Sequence, residues 1–186
     1  MVTPPDPPIR DEVVSLRPWT TADVPAIAAA CADEAIATWL DQIPQPYTED
    51  DARFYVAAAR EGWRTGSELT FAIEDAATGD VLGSIGVRRL GGLDEGTAEI
   101  GYWVKREARG RGVATAALRL ASRWALSEAG VERLQLRADT DNAPSLRVAE
   151  RAGFVREGVL RACRFNARRN RRADFAIYSL LPGDAP

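Results

Sequence analysis

At 186 residues, with 46% apolar and 27% charged side chains, the chain fits one globular domain with a sizeable core, which excludes disordered, collagen-like and membrane-embedded classes. It contains no histidine, so serine–histidine and cysteine–histidine nucleophile pairs, an imidazole base and histidine-ligated metals are excluded; proton transfer must use carboxylate, hydroxyl, amine or water. A net charge of −3 gives no overall pull toward nucleic acid or an anionic membrane.

The N-terminal MVTPPDPPIR is proline-rich and lacks an apolar signal core. Residues 1–10 are therefore expected as a loosely held arm and residues 11–186 as a single domain, cytoplasmic in location. Val13, Val14 and Leu16 read as a short strand ending at Pro18. Residues 21–38 read as one helix with Val24, Ile27, Cys31 and Ile36 on or near one face. After the proline-broken IPQPYT loop, Thr48 is an N-cap, and Glu49, Asp50 and Asp51 suit the positive end of a helix running to Trp63. Residues 69–74, 81–88 and 97–104 read as an antiparallel meander, with turns at Gly79 and at Gly91 and Gly92.

Residues 110–129 switch to helical period, with Val113, Ala117, Leu120 and Trp124 on one stripe and Gly130 as the stop. A strand at 133–138, a helix at 144–152 opened by Pro144, and strands at 158–164 and 173–181 complete the chain. The fold class is thus mixed α/β: a mostly antiparallel sheet with one parallel βαβ crossover, from strand 97–104 through the long helix to strand 133–138. Cys31 and Cys163 fit no zinc or disulfide spacing and are expected as small buried hydrophobes in a reducing compartment. Charge is uneven. Residues 1–60 carry ten acids against four arginines, and residues 156–186 carry seven arginines against three acids.

The sharpest motif lies off the carboxyl end of strand 97–104, where a crossover places its ligand. Gly110 and Gly112 stand at the start of a helix whose first amides have no intrahelical partner, so their donors and the helix dipole favour an anion such as a pyrophosphate. Glycine leaves the approach free of side chains. The spacing is neither that of a Rossmann nor that of a Walker loop.

The fragment Arg109-Gly110-Arg111-Gly112-Val113-Ala114 after an EIGYWV strand resembles the pyrophosphate loop of the GNAT acyl-CoA-dependent N-acyltransferases. The likeness runs through DNAPSLRVAERAGFVREG and the closing hairpin, over about residues 11–182. Within that superfamily the chain looks most like the Rim-type group that acetylates ribosomal-protein N-termini; WLDQIPQPYTEDDARFYV, Asn142 with Ser145, and AGFVREGVLR carry that finer likeness. The resemblance implies a GNAT fold with acetyl-CoA between strands 97–104 and 133–138, which part at a bulge near Val104. It implies pantetheine on the backbone of Tyr102, Trp103 and Val104, pyrophosphate on the amides from Arg109 to Thr115 (Arg109, Gly110, Arg111, Gly112, Val113, Ala114, Thr115), and Asn142 and Ser145 at the thioester. No metal is required. Arg106 stands where the family usually has proline, and Ala149 stands where many members place a tyrosine acid; Ser145 takes that role here.

The acceptor amine must be neutral to attack, and an α-amine near pKa 8 is about a tenth neutral at pH 7, whereas a lysine near 10.4 is almost fully protonated. A peptide N-terminus is the easier acceptor. Glu99 alternates with Gly101 and Trp103; it is either a desolvated carboxylate that takes the amine's proton, or a paired or solvent-facing strand residue. Asn142 and Ser145 fit plain helix capping as well as cofactor contact. Trp39, with Tyr47 and Trp63, flanks the segment where related enzymes admit the acceptor, although large aromatics commonly serve as core or rim. Arg168, Arg169, Arg171 and Arg172 suit a CoA phosphate, an acidic partner, RNA or simple solvation. The first expectation is direct acetyl transfer to a primary amine, most simply a peptide N-terminus. Its alternatives are a small amine (aminoglycoside or polyamine), a catalytically idle acyl-CoA sensor, and, last, a nucleic-acid binder. The edge of the C-terminal hairpin makes a homodimer plausible.

Overall fold

The computed structural model describes residues 2–90 and 95–184, so Gly91 and Gly92 lie outside the described residues. Strands β1 (Ile9–Arg10), β2 (Val14–Pro18), β3 (Glu68–Asp75), β4 (Val81–Arg89), β5 (Thr97–Val104), β6 (Arg133–Asp139), β7 (Val155–Asn166) and β8 (Arg171–Leu180) form one sheet. Their order is β1-β2-β3-β4-β5-β6-β8-β7. β5–β6 is the parallel pair, bridged by helix α4 (Val113–Ser127), and the other neighbours are antiparallel, as the alternation of elements predicts. This is the mixed α/β architecture, mostly antiparallel with one parallel crossover, that the element order predicts.

The period-2 pattern of β5 sends Ala98 and Ile100 to one face, where they meet Leu118, Leu134 and Tyr178 beneath α4 and α5 (Ala143–Arg151). The opposite face carries a second cluster in which Trp19, Trp103 and Ala72 pack under helices α1 (Val24–Cys31) and α3 (Glu49–Thr65) with Ile27 and Val56. Leu118 is fully buried, so truncating it to alanine costs about 2–5 kcal/mol. Thr48 starts α3 as expected: its Oγ1 accepts the Asp51 amide at 3.3 Å, while the Asp51 carboxylate accepts the Thr48 amide at 2.8 Å.

Four expectations change. The helix expected over 21–38 is broken into a 3-10 turn (Thr21–Asp23), α1 and α2 (Glu34–Trp39). The break falls at Asp33, which leaves helical geometry to cap α2 by accepting the Ala35 amide at 3.1 Å. The long helix starts at Val113 rather than 110, because Gly110 and Gly112 take left-handed angles. Residues 2–10, expected as a loose arm, lie against the body: Ile9–Arg10 pairs with β2, and Val2 and Ile9 pack on the larger cluster. Cys31 is buried, which pushes its thiol up to about 12, but Cys163 is exposed on β7. β7 ends the strand order and has no outer partner among the described residues, so Cys163 and the apolar Val155 and Phe165 stay at the surface.

Candidate active site

β4 holds β5 in unbroken register from Gly83 opposite Val104 to Arg89 opposite Ala98, and β8 holds β6 from Leu134 opposite Leu180 to Asp139 opposite Phe175. The two strands meet only at Thr97–Arg133, Ala98–Leu134 and Glu99–Gln135. They then part, which leaves the β6 side of residues 100–104 without a strand partner. The split therefore begins at Ile100, not at a bulge near Val104. No bulge is needed, because each wall of the gap has a complete partner on its outer side.

Below the gap the chain makes a 3-10 turn (Arg106–Ala108) and reaches α4 through Arg109–Gly112. Gly110 and Gly112 have φ of 75° and 82°, a region that strains any side-chain-bearing residue. A β-carbon at either would meet nothing within 4 Å, so backbone handedness requires glycine while the space before the loop is open. The first amide of α4 with a backbone partner is Ala116, which donates to Gly112 O at 3.0 Å; Val113, Ala114 and Thr115 precede it, and no side chain caps them. This concave row of donors fits a diphosphate. The amide of Arg109, by contrast, donates within the turn to Arg106 O at 3.2 Å. Its guanidinium donates to Val104 O at 3.0 Å and to Asp33 at 2.7 Å. Arg111 reaches Asp75 at 3.3 Å.

Arg106, in the position usually held by proline, also binds Asp33, at 2.8 Å. The carboxyl of Asp33 is accordingly held down to about 2, chiefly by the Arg106 guanidinium, with further help from the Ala35 amide and Arg109 against the opposing effect of burial. One carboxylate thus caps α2 and ties it to the glycine loop. The sequence signal was present in CADEAI, where an aspartate followed by glutamate is a helix start.

On the far wall, Asn142 caps α5 by accepting the Ser145 amide at 3.3 Å. The Ser145 hydroxyl lies 3.0 Å from that of Tyr102 on β5, so the two side chains meet across the gap. Burial pushes the Tyr102 phenol up to about 12, against the effect of the Ser145 hydrogen bond, so it keeps its proton at neutral pH. Sequence reasoning expected only the backbone of Tyr102 here and missed its side chain. Ala149, one turn beyond Ser145, is fully buried.

Glu99 does share a face with Gly101 and Trp103, but its surroundings differ from those expected of a desolvated base. Arg137 and Arg88 are both ion-paired to it, the latter at 3.4 Å, and Gln135 donates at 3.5 Å. Of the two readings the sequence leaves open, this geometry matches the paired one. Gly101 is exposed, whereas Trp103 is buried beside Trp19, ring centroids 6.4 Å apart. Trp63 lies away from any acceptor path: it packs against Phe71 and Trp124 and donates to Thr70 O at 2.9 Å. Tyr47 is half-buried on the smaller cluster. Trp39, half-buried at the end of α2, lies under the Arg169 guanidinium at 4.8 Å.

The parted parallel strand pair thus stands above a glycine-initiated helix N-terminus, and comparison with known proteins identifies the family. The Acetyltransferase (GNAT) domain family model matches residues 14–155, and the chain belongs to that family. It is 32% identical over 134 residues to the ribosomal-protein-serine acetyltransferase of Escherichia coli, covering 69% of this chain and 72% of that one. With the probable N-acetyltransferase YjcK of Bacillus subtilis it shares 31% identity over 117 residues, covering 62% of this chain but less than two thirds, 64%, of the relative. Mycobacterium smegmatis RimJ in complex with CoA-disulfide superposes with a TM-score of 0.84 at 23% identity, covering 100% of this chain and 92% of RimJ, which establishes likeness of fold.

Proposed function

We propose that this protein transfers an acetyl group from acetyl-CoA directly to a primary amine, most readily the α-amine of a polypeptide N-terminus. The observation that carries the reading is the parting of β5 from β6 beyond Glu99, directly above the uncapped amides of α4. Val113, Ala114 and Thr115, with the Gly110–Gly112 turn, would bind the pyrophosphate through main-chain donors, and the unpaired edge at Tyr102, Trp103 and Val104 would hold the pantetheine amides. Side chains of Arg109 and Arg111 shape the loop, Arg109 through Val104 and Asp33.

The thioester makes the acyl carbon electrophilic, and a thiol pKa near 8.5 makes sulfur a good leaving group. One hydrogen-bond donor suffices to receive it. Ser145 supplies that donor, and Tyr102, which keeps its own proton, orients the serine hydroxyl by hydrogen bonding to it, while the released thiolate takes its proton from water. Asn142 fixes the turn that presents Ser145. On the acceptor face, Glu99, held by Arg88 and Arg137, orients the incoming amine, whose proton leaves to water, and Trp39 lines the approach. Support for a polypeptide acceptor comes from the Escherichia coli relative, named for a ribosomal-protein serine, and from the tenth of an α-amine that is neutral at pH 7.

The test is thiol release by the full-length protein with acetyl-CoA and four acceptors: a peptide with a free serine or alanine N-terminus, the same peptide N-blocked but bearing lysine, spermidine and an aminoglycoside. The free N-terminus should react at least tenfold faster than the blocked peptide. Preference for either small amine would overturn the acceptor assignment, and tight CoA binding without thiol release from any amine would leave a sensor.

A further inference from the structure

The NARRNRR segment between β7 and β8 is neither spread in solvent nor poised for an external anion, because its guanidinium groups bind the protein itself. Arg168 donates to Ile43 O at 2.6 Å, Arg172 to Ala162 O at 2.7 Å, and Asn166 to Thr38 O at 2.9 Å. Arg164 reaches Asp41 at 2.5 Å. The hairpin end is thereby laid across the segment 38–43 that follows α2.

Arg169 goes further, since it uses both the edge and the face of its plane. One terminal nitrogen reaches Asp139 at 2.8 Å, the other reaches Asp141 at 2.7 Å, and the flat face lies over Trp39 at 4.8 Å. Asp139 is buried, at 6% exposure, and ends β6 on the face that also carries Gln135 and Arg137. Its side chain accepts the Asp141 amide at 2.9 Å and its carbonyl accepts the Asn142 amide at 2.8 Å, so it sets the turn from which α5 presents Ser145. A continuous line of contacts therefore runs from Trp39 through Arg169 and Asp139 to Asn142 and Ser145.

We infer that Arg169 is a positioning residue for acceptor use: it locks the Trp39 segment to the Asn142–Ser145 turn, so that the acceptor wall and the thioester wall of the gap keep a fixed separation. This rests on the acetyltransferase reading above. A lysine would keep the charge but lose the fork and the stacked plane, so it would not substitute. The glycine loop makes none of these contacts, so cosubstrate binding should be spared.

The experiment compares the full-length protein with Arg169→Met, Arg169→Lys and, as a control, Arg53→Met, which removes an exposed arginine holding Glu49 and Asp50 on α3. Acetyl-CoA affinity is measured by calorimetry, acceptor kcat/KM by thiol release, and amide hydrogen exchange over 38–43 and 139–145. Arg169→Met should lower acceptor kcat/KM at least tenfold with acetyl-CoA Kd changed less than twofold. Lysine should not rescue it, and both segments should lose protection together while Arg53→Met matches wild type. Unchanged kcat/KM, full rescue by lysine, or loss of protection in one segment alone would overturn the inference. Exchange needs no acceptor, so it decides the linkage even if the wild-type protein releases no thiol from any amine, an outcome that would instead sink the transferase reading.

Discussion

The two walls of the gap are built alike and furnished differently. β5 and β6 are each held in strand form by an outer neighbour, while their inner edges beyond Glu99 carry no strand partner. The β5 wall runs into the glycine loop and offers main-chain donors; the β6 wall runs into α5 and offers the hydroxyl of Ser145 and the anchored Asp139. Two arginine–carboxylate junctions fasten α2 to this frame: Asp33 joins its start to the β5 side, and Arg169 with Trp39 joins its end to the β6 side. On the proposed reading, cosubstrate binding falls to the β5 wall and Ser145 on the β6 wall receives the leaving thiolate, with Tyr102 reaching across to it.

That division can be broken at four places. The largest effect is expected at Gly112: Gly112→Trp strains a left-handed backbone and fills the open space before the loop, and should weaken acetyl-CoA binding at least a hundredfold by calorimetry. Unchanged affinity would remove the loop from cosubstrate binding. On the other wall, Ser145→Ala should cut kcat by about 10²-fold, in the range of a lost hydrogen-bond donor to developing negative charge, with acetyl-CoA Kd nearly unchanged. Tyr102→Phe should do the same more mildly, and the double variant should be no worse than Ser145→Ala, because the two hydroxyls act in series. Glu99→Gln should lower acceptor kcat/KM about tenfold with acetyl-CoA Kd unchanged; an unaltered kcat/KM would leave Glu99 as a paired strand residue.

The smallest effects concern stability. Asp33→Asn at pH 7 should cost about 1 kcal/mol in urea unfolding, discounted because Arg106 is 72% exposed. The Asp33 carboxyl is held below its ordinary 3.8, so its contribution is present above that value and is lost as pH falls toward about 2. Tyr102 behaves in the opposite sense. Raised from 10 to about 12, it contributes below pH 10, and that contribution should fall as pH rises from 10 to 12; Tyr102→Phe should lessen the alkaline slope, of which the buried Cys31 thiol supplies another share.

Much of this was legible in residues 97–152. A strand with alternating Ala98 and Ile100, two glycines before a helical stripe, and Asn142 before Pro144 are local signals, and the local backbone obeys them. Less was legible where distant charges decide the outcome. Asp33 ties the start of α2 to the glycine loop because Arg106 and Arg109, far along the chain, converge on it. Glu99 sits between arginines from β4 and β6 that no window around it contains. The Arg168–Arg172 run looked free because its acceptors, Ile43 O, Asp139 and Asp141, come from two other segments. Tyr102 and Ser145 are similarly remote in sequence, and only the crossover brings their hydroxyls together.

The sheet is joined across its middle by just three backbone register positions, Thr97–Arg133 to Glu99–Gln135. A molecule seated there would act as a rivet through a short seam, adding its own binding free energy to that of folding. At a concentration one hundred times its Kd, such a guest raises the unfolding free energy by about 2.7 kcal/mol. Melting temperature against coenzyme concentration is thus a direct gauge of how firmly the halves are fastened.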